Sequence, residues 1–391
     1  MKIPDPFDLA RRQVAIDQGV IGDAGYFTRK QRKLCSSPLG FFRGSARLFY
    51  EILAAEPSLQ LEGGSTGPIV GDMHLENVGA YRTDADEVAF DLNDFDDASV
   101  GPHWFDTLRL AVSVLLAART FQASATDSLT LTGELLGAYA QELEAVTLPR
   151  PEEAYVRAVQ VKPIAELCER AKKRTRKEFL DMRAPLSNGV RRFARGDRYI
   201  ELTASDREAL TTIVEAYKSA LGARAPQHTK SWRIVDAAHR VAGNGSLGRV
   251  RIAFLVVDSH GTERLFEMKE AAPSATEALL GPSSVEPSQR VEREATALVA
   301  FPPRQLASLG TTKFGALCGR KLCPEEDKLD LTRLHVGPKL SAVVRLVGST
   351  LARAHRRSSE AKASDGAALL DRAVYLAGIF EAVYLAYARI S

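Results

Sequence analysis

Gly71 to Gly79, GDMHLENVG, and the DLNDFDD run at 91–97 restrict this chain more than any other stretch. Two short apolar segments, TGPIV at 66–70 and EVAFDL at 87–92, read as strands, so Asp72, Asp94 and Asp96 fall in the turns at strand ends. Asp72, Asn77 five residues later and Asp94 beyond the next strand have the spacing of a phosphoryl-transfer site. In such a site one Asp accepts a hydroxyl proton, while an Asn and a second Asp hold magnesium against the phosphates. Magnesium prefers hard oxygen ligands, and it offsets the negative charge that transfer concentrates on a nucleotide. Asp72 is therefore the expected base, and Asn77 and Asp94 the expected metal ligands; His74, Asp96 and Asp106 are further candidates nearby. Ordinary turns use the same residue types, but DFDDA and Asp106 together favour a site.

A second signal lies far downstream. HRVAGNGSLGRV at 239–250 carries G-x-G-x-x-G-x-V through Gly243, Gly245, Gly248 and Val250, then RIAFLVV and RLFEMK, which ends in Lys269. Glycines let backbone amides approach phosphate oxygens, and Ser246 adds a hydroxyl donor. The glycines are followed by β-branched and aromatic residues, which argues for strand, turn, strand and against the dinucleotide-binding strand-to-helix turn. Lys269 would project toward the α- and β-phosphates. A plain hairpin turn and a snorkelling edge lysine are the blander uses of these residues. After a Pro/Ser/Gly-rich connection, QRVEREATALVA reads as a helix whose Glu292 or Glu294 would pair with Lys269.

SSPLGFFRGSARLFYEIL at 36–53, GDMHLENVG, FDLNDFDDASVGPHWFDTLRLAVS at 90–113, VAGNGSLGRVR, LFEMKEA at 265–271 and LARAHRRS at 351–358 resemble the bacterial DUF2252 family, a domain of unknown function. GDMHLEN and DFDDA also resemble the catalytic segment of aminoglycoside phosphotransferases and related small-molecule kinases. That pattern runs His-Gly-Asp, four residues, Asn, then Ile-Asp-Phe. Val70 and Gly71 precede Asp72 here, so the leading His is absent and His74 follows the Asp instead. The kinase resemblance implies ATP and Mg2+ as cofactors, and an Asp at the position of Asp106 that supports the catalytic loop. The order of parts is inverted, because kinases present the glycine loop and lysine first. The resemblance thus implies an α+β, protein-kinase-like two-lobe fold that is circularly permuted, with a small antiparallel-sheet lobe and a larger helical lobe. Such rejoining is tolerated at surface termini. The expected division is a helical catalytic lobe at 1–230, a glycine-loop sheet lobe at 231–310, and a helical part at 311–391 packing on the catalytic lobe.

With 391 residues, 45% hydrophobic and 26% charged, the chain is long enough for two or three packed units. Cys35, Cys168, Cys318 and Cys323 show no zinc or disulfide spacing, and free thiols fit a cytoplasmic location. No apolar leader and no run near the ~18 residues of a span is visible, so no membrane partner is expected. The net charge is +3, yet residues 170–198 hold eleven Lys or Arg against three acids, which suits an anionic partner or a solvated face. Phe179 and Phe193 are too few aromatics to favour nucleic acid. Long Leu/Ala-rich stretches at 105–147, 205–222 and 340–390 read as helices. Arg43 is a candidate phosphate contact or salt bridge, and His355 a phosphate contact or surface helix histidine. The reading that results is an ATP- and magnesium-dependent phosphotransferase acting on a small-molecule hydroxyl. A pseudokinase-like nucleotide sensor and an AMP transferase with the nucleotide reversed remain the alternatives. The first reading expects the tips of Lys269 and Asp94 within about one triphosphate length of each other.

Overall fold

The acidic stretch forms two small antiparallel ladders. β1 (Thr66–Ile69) pairs with β4 (Ser99–Pro102), and β2 (Val78–Arg82) pairs with β3 (Val88–Leu92), Val78 standing opposite Leu92. A short hairpin, β5 (Leu186–Ser187) and β6 (Val190–Arg191), follows. β7 (Tyr199–Glu201), β8 (Arg233–Arg240), β9 (Arg251–Val257), β10 (Glu263–Glu270), β11 (Ala307–Thr312) and β12 (Gly315–Lys321) then build one antiparallel sheet in the order β11-β12-β10-β9-β8-β7. β13 (Asp327–Lys328) returns to pair with β2, so the chain passes from the sheet back to the acidic ladders. The structure, a computed structural model, describes residues 4–83, 85, 87–241, 247–322 and 327–391.

β9 is apolar almost throughout because both of its faces are covered. Ile252, Phe254 and Val256 pack with Phe266, Met268, Trp232 and Tyr217 on one side. Ala253 and Leu255 join Leu265, Leu180, Phe193 and Tyr199 on the other. A strand buried on both faces needs no polar alternation. The sheet runs beyond the expected 231–310 at both ends, and the Ala204–Leu221 helix belongs with it through Tyr217. Thr203 caps that helix by accepting from the Asp206 amide. Arg191 pairs with Asp181 and Glu263, and Arg195 with Glu201 and Asp236, so part of the basic charge at 170–198 is used internally.

The larger core is helical. Trp104–Leu116 is buried nearly all round, and Ala46–Ala55, Ala125–Glu144, Pro338–Ser358 and Gly366–Ile390 surround it. Gly366–Ile390 is long and apolar enough to cross a membrane, but it buries Leu376, Phe380, Val383 and Tyr387 in this core. Phe380 packs edge-on to Phe42 at 4.9 Å, which extends a ring cluster with Phe41 and Phe49. The chain is thus a mixed α+β protein with a helix-rich part and a sheet part, and, β13 apart, the acidic ladders precede the sheet in the chain with the helices from Trp104 to Arg183 between them.

Candidate active site

Asp72 sits in the loop between β1 and β2, and neighbouring groups hold that loop by its backbone. Gly71 adopts φ +78°, and a Cβ there would lie 2.2 Å from the Asp97 carbonyl oxygen, so only glycine lets the two acidic loops touch. The Tyr50 hydroxyl donates to the Gly71 carbonyl at 2.5 Å. The fully buried Asp106 accepts from the Val70 and Gly71 amides at 2.6 and 2.9 Å. His355 Nε2 lies 3.2 Å from the same carboxylate, and its Nδ1 meets the Tyr139 hydroxyl at 2.8 Å. His355 is fully buried and stacks on His103 at 4.2 Å. It is therefore neither a surface residue nor a phosphate contact; it orients Asp106.

Arg109 donates to Asp72 Oδ1 at 2.5 Å while wholly buried, its guanidinium 4.4 and 4.7 Å from the Phe42 and Phe49 ring centres. Aromatic faces offset part of the loss of water around that cation. The Asp72 side chain keeps 24% of its surface exposed. Its pKa is pushed up to about 7, chiefly by burial and also by the Asp97 and Asp94 charges, against the lowering effect of Arg109. A carboxylate tuned near neutrality is suited to taking a proton from a hydroxyl.

Asn77 joins the two acidic loops. Its Nδ2 donates to the Asp72 carbonyl at 2.6 Å, and its own carbonyl accepts from the Asn93 amide at 3.1 Å. Its Oδ1 is buried and has no partner among the described residues. Leaving such an oxygen unpaired costs roughly 1–3 kcal/mol. The next residue after Asn93 is Asp94, which carries no hydrogen bond or ion pair among the described residues and lines the cleft. Asn77 Oδ1 and the Asp94 carboxylate fit magnesium, which takes one or two protein oxygens and completes its shell with water and phosphate. No group of three or more His, Cys, Asp or Glu suited to a metal occurs among the described residues.

Lys269, on β10, reaches across from the sheet and ion-pairs with Asp96. Burial and Arg251 lower its pKa, while Asp96 and Asp94 oppose that shift. Burial would raise the Asp96 pKa, but Lys269, Arg251 and Arg320 outweigh it and hold the carboxylate low. Neither helix glutamate pairs with Lys269. Glu292 binds Arg224 at 2.8 Å and accepts from the Ser308 amide at 2.7 Å, and the buried Glu294 pairs with Arg293 at 2.6 Å. The reason is rotational: the Pro287–Leu298 helix turns Val291 and Ala295 toward the cleft. It also buries Arg290, whose guanidinium donates to the carbonyls of Asp96 at 2.9 Å and Ala272 at 2.8 Å, and to that of Ala98.

A family model described as an uncharacterized protein conserved in bacteria, DUF2252, matches residues 23–387. The chain belongs to the DUF2252 family. No curated protein and no solved structure matches it. Every site residue named above lies within the DUF2252 match. The remaining candidates take other places. His74 is buried and kept neutral by that burial, with Nδ1 accepting from the Glu76 amide at 3.1 Å, so it faces no ligand. Arg43 ion-pairs with Glu76 and acts on Asp72 only through its field. Gly248, at φ +90°, packs against Val20 and Ile21 at the end of the Pro6–Val20 helix. Gly243, Gly245 and Ser246 lie outside the described residues. Arg109 and Arg290 were not legible beforehand, since a lone arginine within an apolar or a charged helix pattern carries no spacing signal.

Proposed function

We propose that this DUF2252 protein is a kinase-like, ATP- and magnesium-dependent phosphotransferase acting on a hydroxyl group. The observation that carries the reading is the Asn77 side chain, which spends its amide on the Asp72 carbonyl and keeps a buried oxygen without a partner among the described residues, while its backbone carbonyl takes the amide of Asn93, the neighbour of Asp94. The order of the sheet supports it: the glycine string joins β8 to β9, Lys269 is on the next strand, and a helix follows. Kinase nucleotide lobes order a glycine loop, a strand lysine and a helix in this way, which supports the reading in permuted order after the acidic segment.

In this mechanism Asp72, held by Arg109 and by the backbone bonds to Asp106, takes the acceptor hydroxyl proton. Asn77 and Asp94 would hold magnesium, which supplies charge neutralisation at the phosphates. Lys269 exchanges Asp96 for a phosphate oxygen when nucleotide enters, so its charge is never left unpaired. Which group moves depends on which end of the nucleotide lies on Lys269. Calorimetry with ATP, with and without magnesium, tests the site, and slow hydrolysis of ATP with water as acceptor tests transfer. Magnesium-dependent binding with turnover supports the transferase, binding without turnover supports a nucleotide sensor, and no binding removes both.

A further inference from the structure

The two sides of the cleft differ in chemistry, and the difference orients a nucleotide. At the level of Lys269, β12 presents Cys318, which packs with Val291, Ala295 and Leu306 in an apolar cluster. Val299, Phe301 and Pro303 extend that wall along the cleft. On the opposite side of Lys269 the sheet becomes cationic. Arg251 stands directly across from it on β9, and Arg240 ends β8 beyond. One step along the same face of β10 lies Glu267, across from Arg320.

Glu267 is fully buried and is the one carboxylate shared by Arg240, Arg251 and Arg320. Arg240 and Arg251 each keep a buried Nε without a partner among the described residues. Arg249, just before β9, and Lys321, at the far end of β12, bring two further cations to the cleft. Three guanidiniums around Glu267, two of them also in the field of Asp96, make this part of the wall charged where an adenine ring would need flat apolar walls, whereas guanidiniums match phosphate oxygens in charge and geometry.

We infer that ATP lies reversed in this cleft, its base against Val291 and Phe301 and its β- and γ-phosphates on Arg249 and Arg320, with the buried Arg251 adding its charge from beside Glu267, so that AMP is the group transferred. The inference rests on the magnesium–ATP reading and changes which phosphorus faces Asp72. The α-phosphorus then sits level with Lys269 and Asp94. The acceptor oxygen bonds to the α-phosphorus, the bond from it to the α,β-bridging oxygen breaks, pyrophosphate leaves with that electron pair, and the hydroxyl proton passes to Asp72. Nothing is oxidised or reduced.

The test uses the full chain with magnesium. Photolabelling with 8-azido-ATP followed by peptide mapping is expected to mark residues 291–306, and slow hydrolysis is expected to yield AMP and pyrophosphate. Arg251→Gln with Arg320→Gln is expected to weaken ATP binding at least tenfold and leave AMP binding within twofold. A label on the 251–257 or 321–328 peptides, ADP as the hydrolysis product, or equal loss of ATP and AMP binding overturns the reversed orientation while the nucleotide site stands. Absence of magnesium-dependent ATP binding to the unaltered protein overturns the site and the orientation together.

Discussion

Asn77 serves two loops with one residue. Its amide nitrogen fixes the Asp72 backbone and its oxygen has no partner among the described residues, so one side chain shapes the loop and, in the proposed function, would offer a ligand. Asp94→Asn keeps the size and removes the charge. It is expected to abolish the magnesium dependence of ATP binding in calorimetry and leave the thermal midpoint without ATP within a few degrees. Asp72→Asn is expected to bind magnesium–ATP within about threefold of the unaltered protein but to lose about 100-fold or more in turnover, the usual contribution of a positioned base. Arg109→Ala removes a buried cation from between two phenylalanines and from Asp72. It should cost about 3–5 kcal/mol in denaturant unfolding, because the carboxylate loses its partner as well as the packing. Spacing alone pointed to Asp72, Asn77 and Asp94, since all three belong to one local hairpin system. It was silent on Arg109, whose role depends on rings from residues 42 and 49.

Elements hold these residues through a few backbone contacts. Gly71→Ala would force a Cβ into the Asp97 carbonyl and disfavour φ +78°; separation of the two acidic loops is the expected result, seen as a loss of about 2 kcal/mol or more and weakened ATP binding. The Trp104–Leu116 and Pro338–Ser358 helices meet at the stacked pair His103 and His355. Burial and the His355 charge lower the His103 pKa to about 3. A histidine depressed on folding contributes stability that is complete above its unfolded value near 6.5 and is lost as pH falls toward the folded value, because only the unfolded chain takes up the proton. Between about pH 6 and 3.5, His103→Gln should therefore flatten the fall in unfolding free energy by roughly 1.4 kcal/mol per pH unit, as measured by denaturant titration. The 105–147 helices were legible from their period, but the burial of His355 was not. The run of arginines beside it reads as solvent-facing, and only the Tyr139 and Asp106 contacts turn that helix edge inward.

At the scale of the whole molecule, Arg290 spans the parts. From a helix that packs on the sheet it donates to carbonyls of the acidic loop and of the linker after β10. Arg290→Ala should loosen that junction, lowering stability by about 2–3 kcal/mol and weakening ATP binding more than the helix content measured by circular dichroism. Under the proposed function, saturating magnesium–ATP would stabilise the folded chain by mass action. At 100 times the dissociation constant it is expected to add about 2.7 kcal/mol to the unfolding free energy, read as a higher thermal midpoint that vanishes with chelator. The sheet's true extent, with β7 and β12 outside the expected bounds, was hidden for a related reason. Both strands are short or glycine-bearing and gain their place from neighbours rather than from their own pattern.

Local residue order was enough for the acidic hairpin, the glycine-bearing strand pair and the apolar helices, because hydrogen-bond ladders, turns and helical periods are settled over a few residues. The partner of Lys269 was not available at that range. The helix glutamates near it in sequence turn elsewhere, and it pairs with Asp96, 173 residues away, once the sheet closes on the acidic loops. Long-range charge pairing depends on which surfaces pack and which are left wet, and that is a property of the assembled fold.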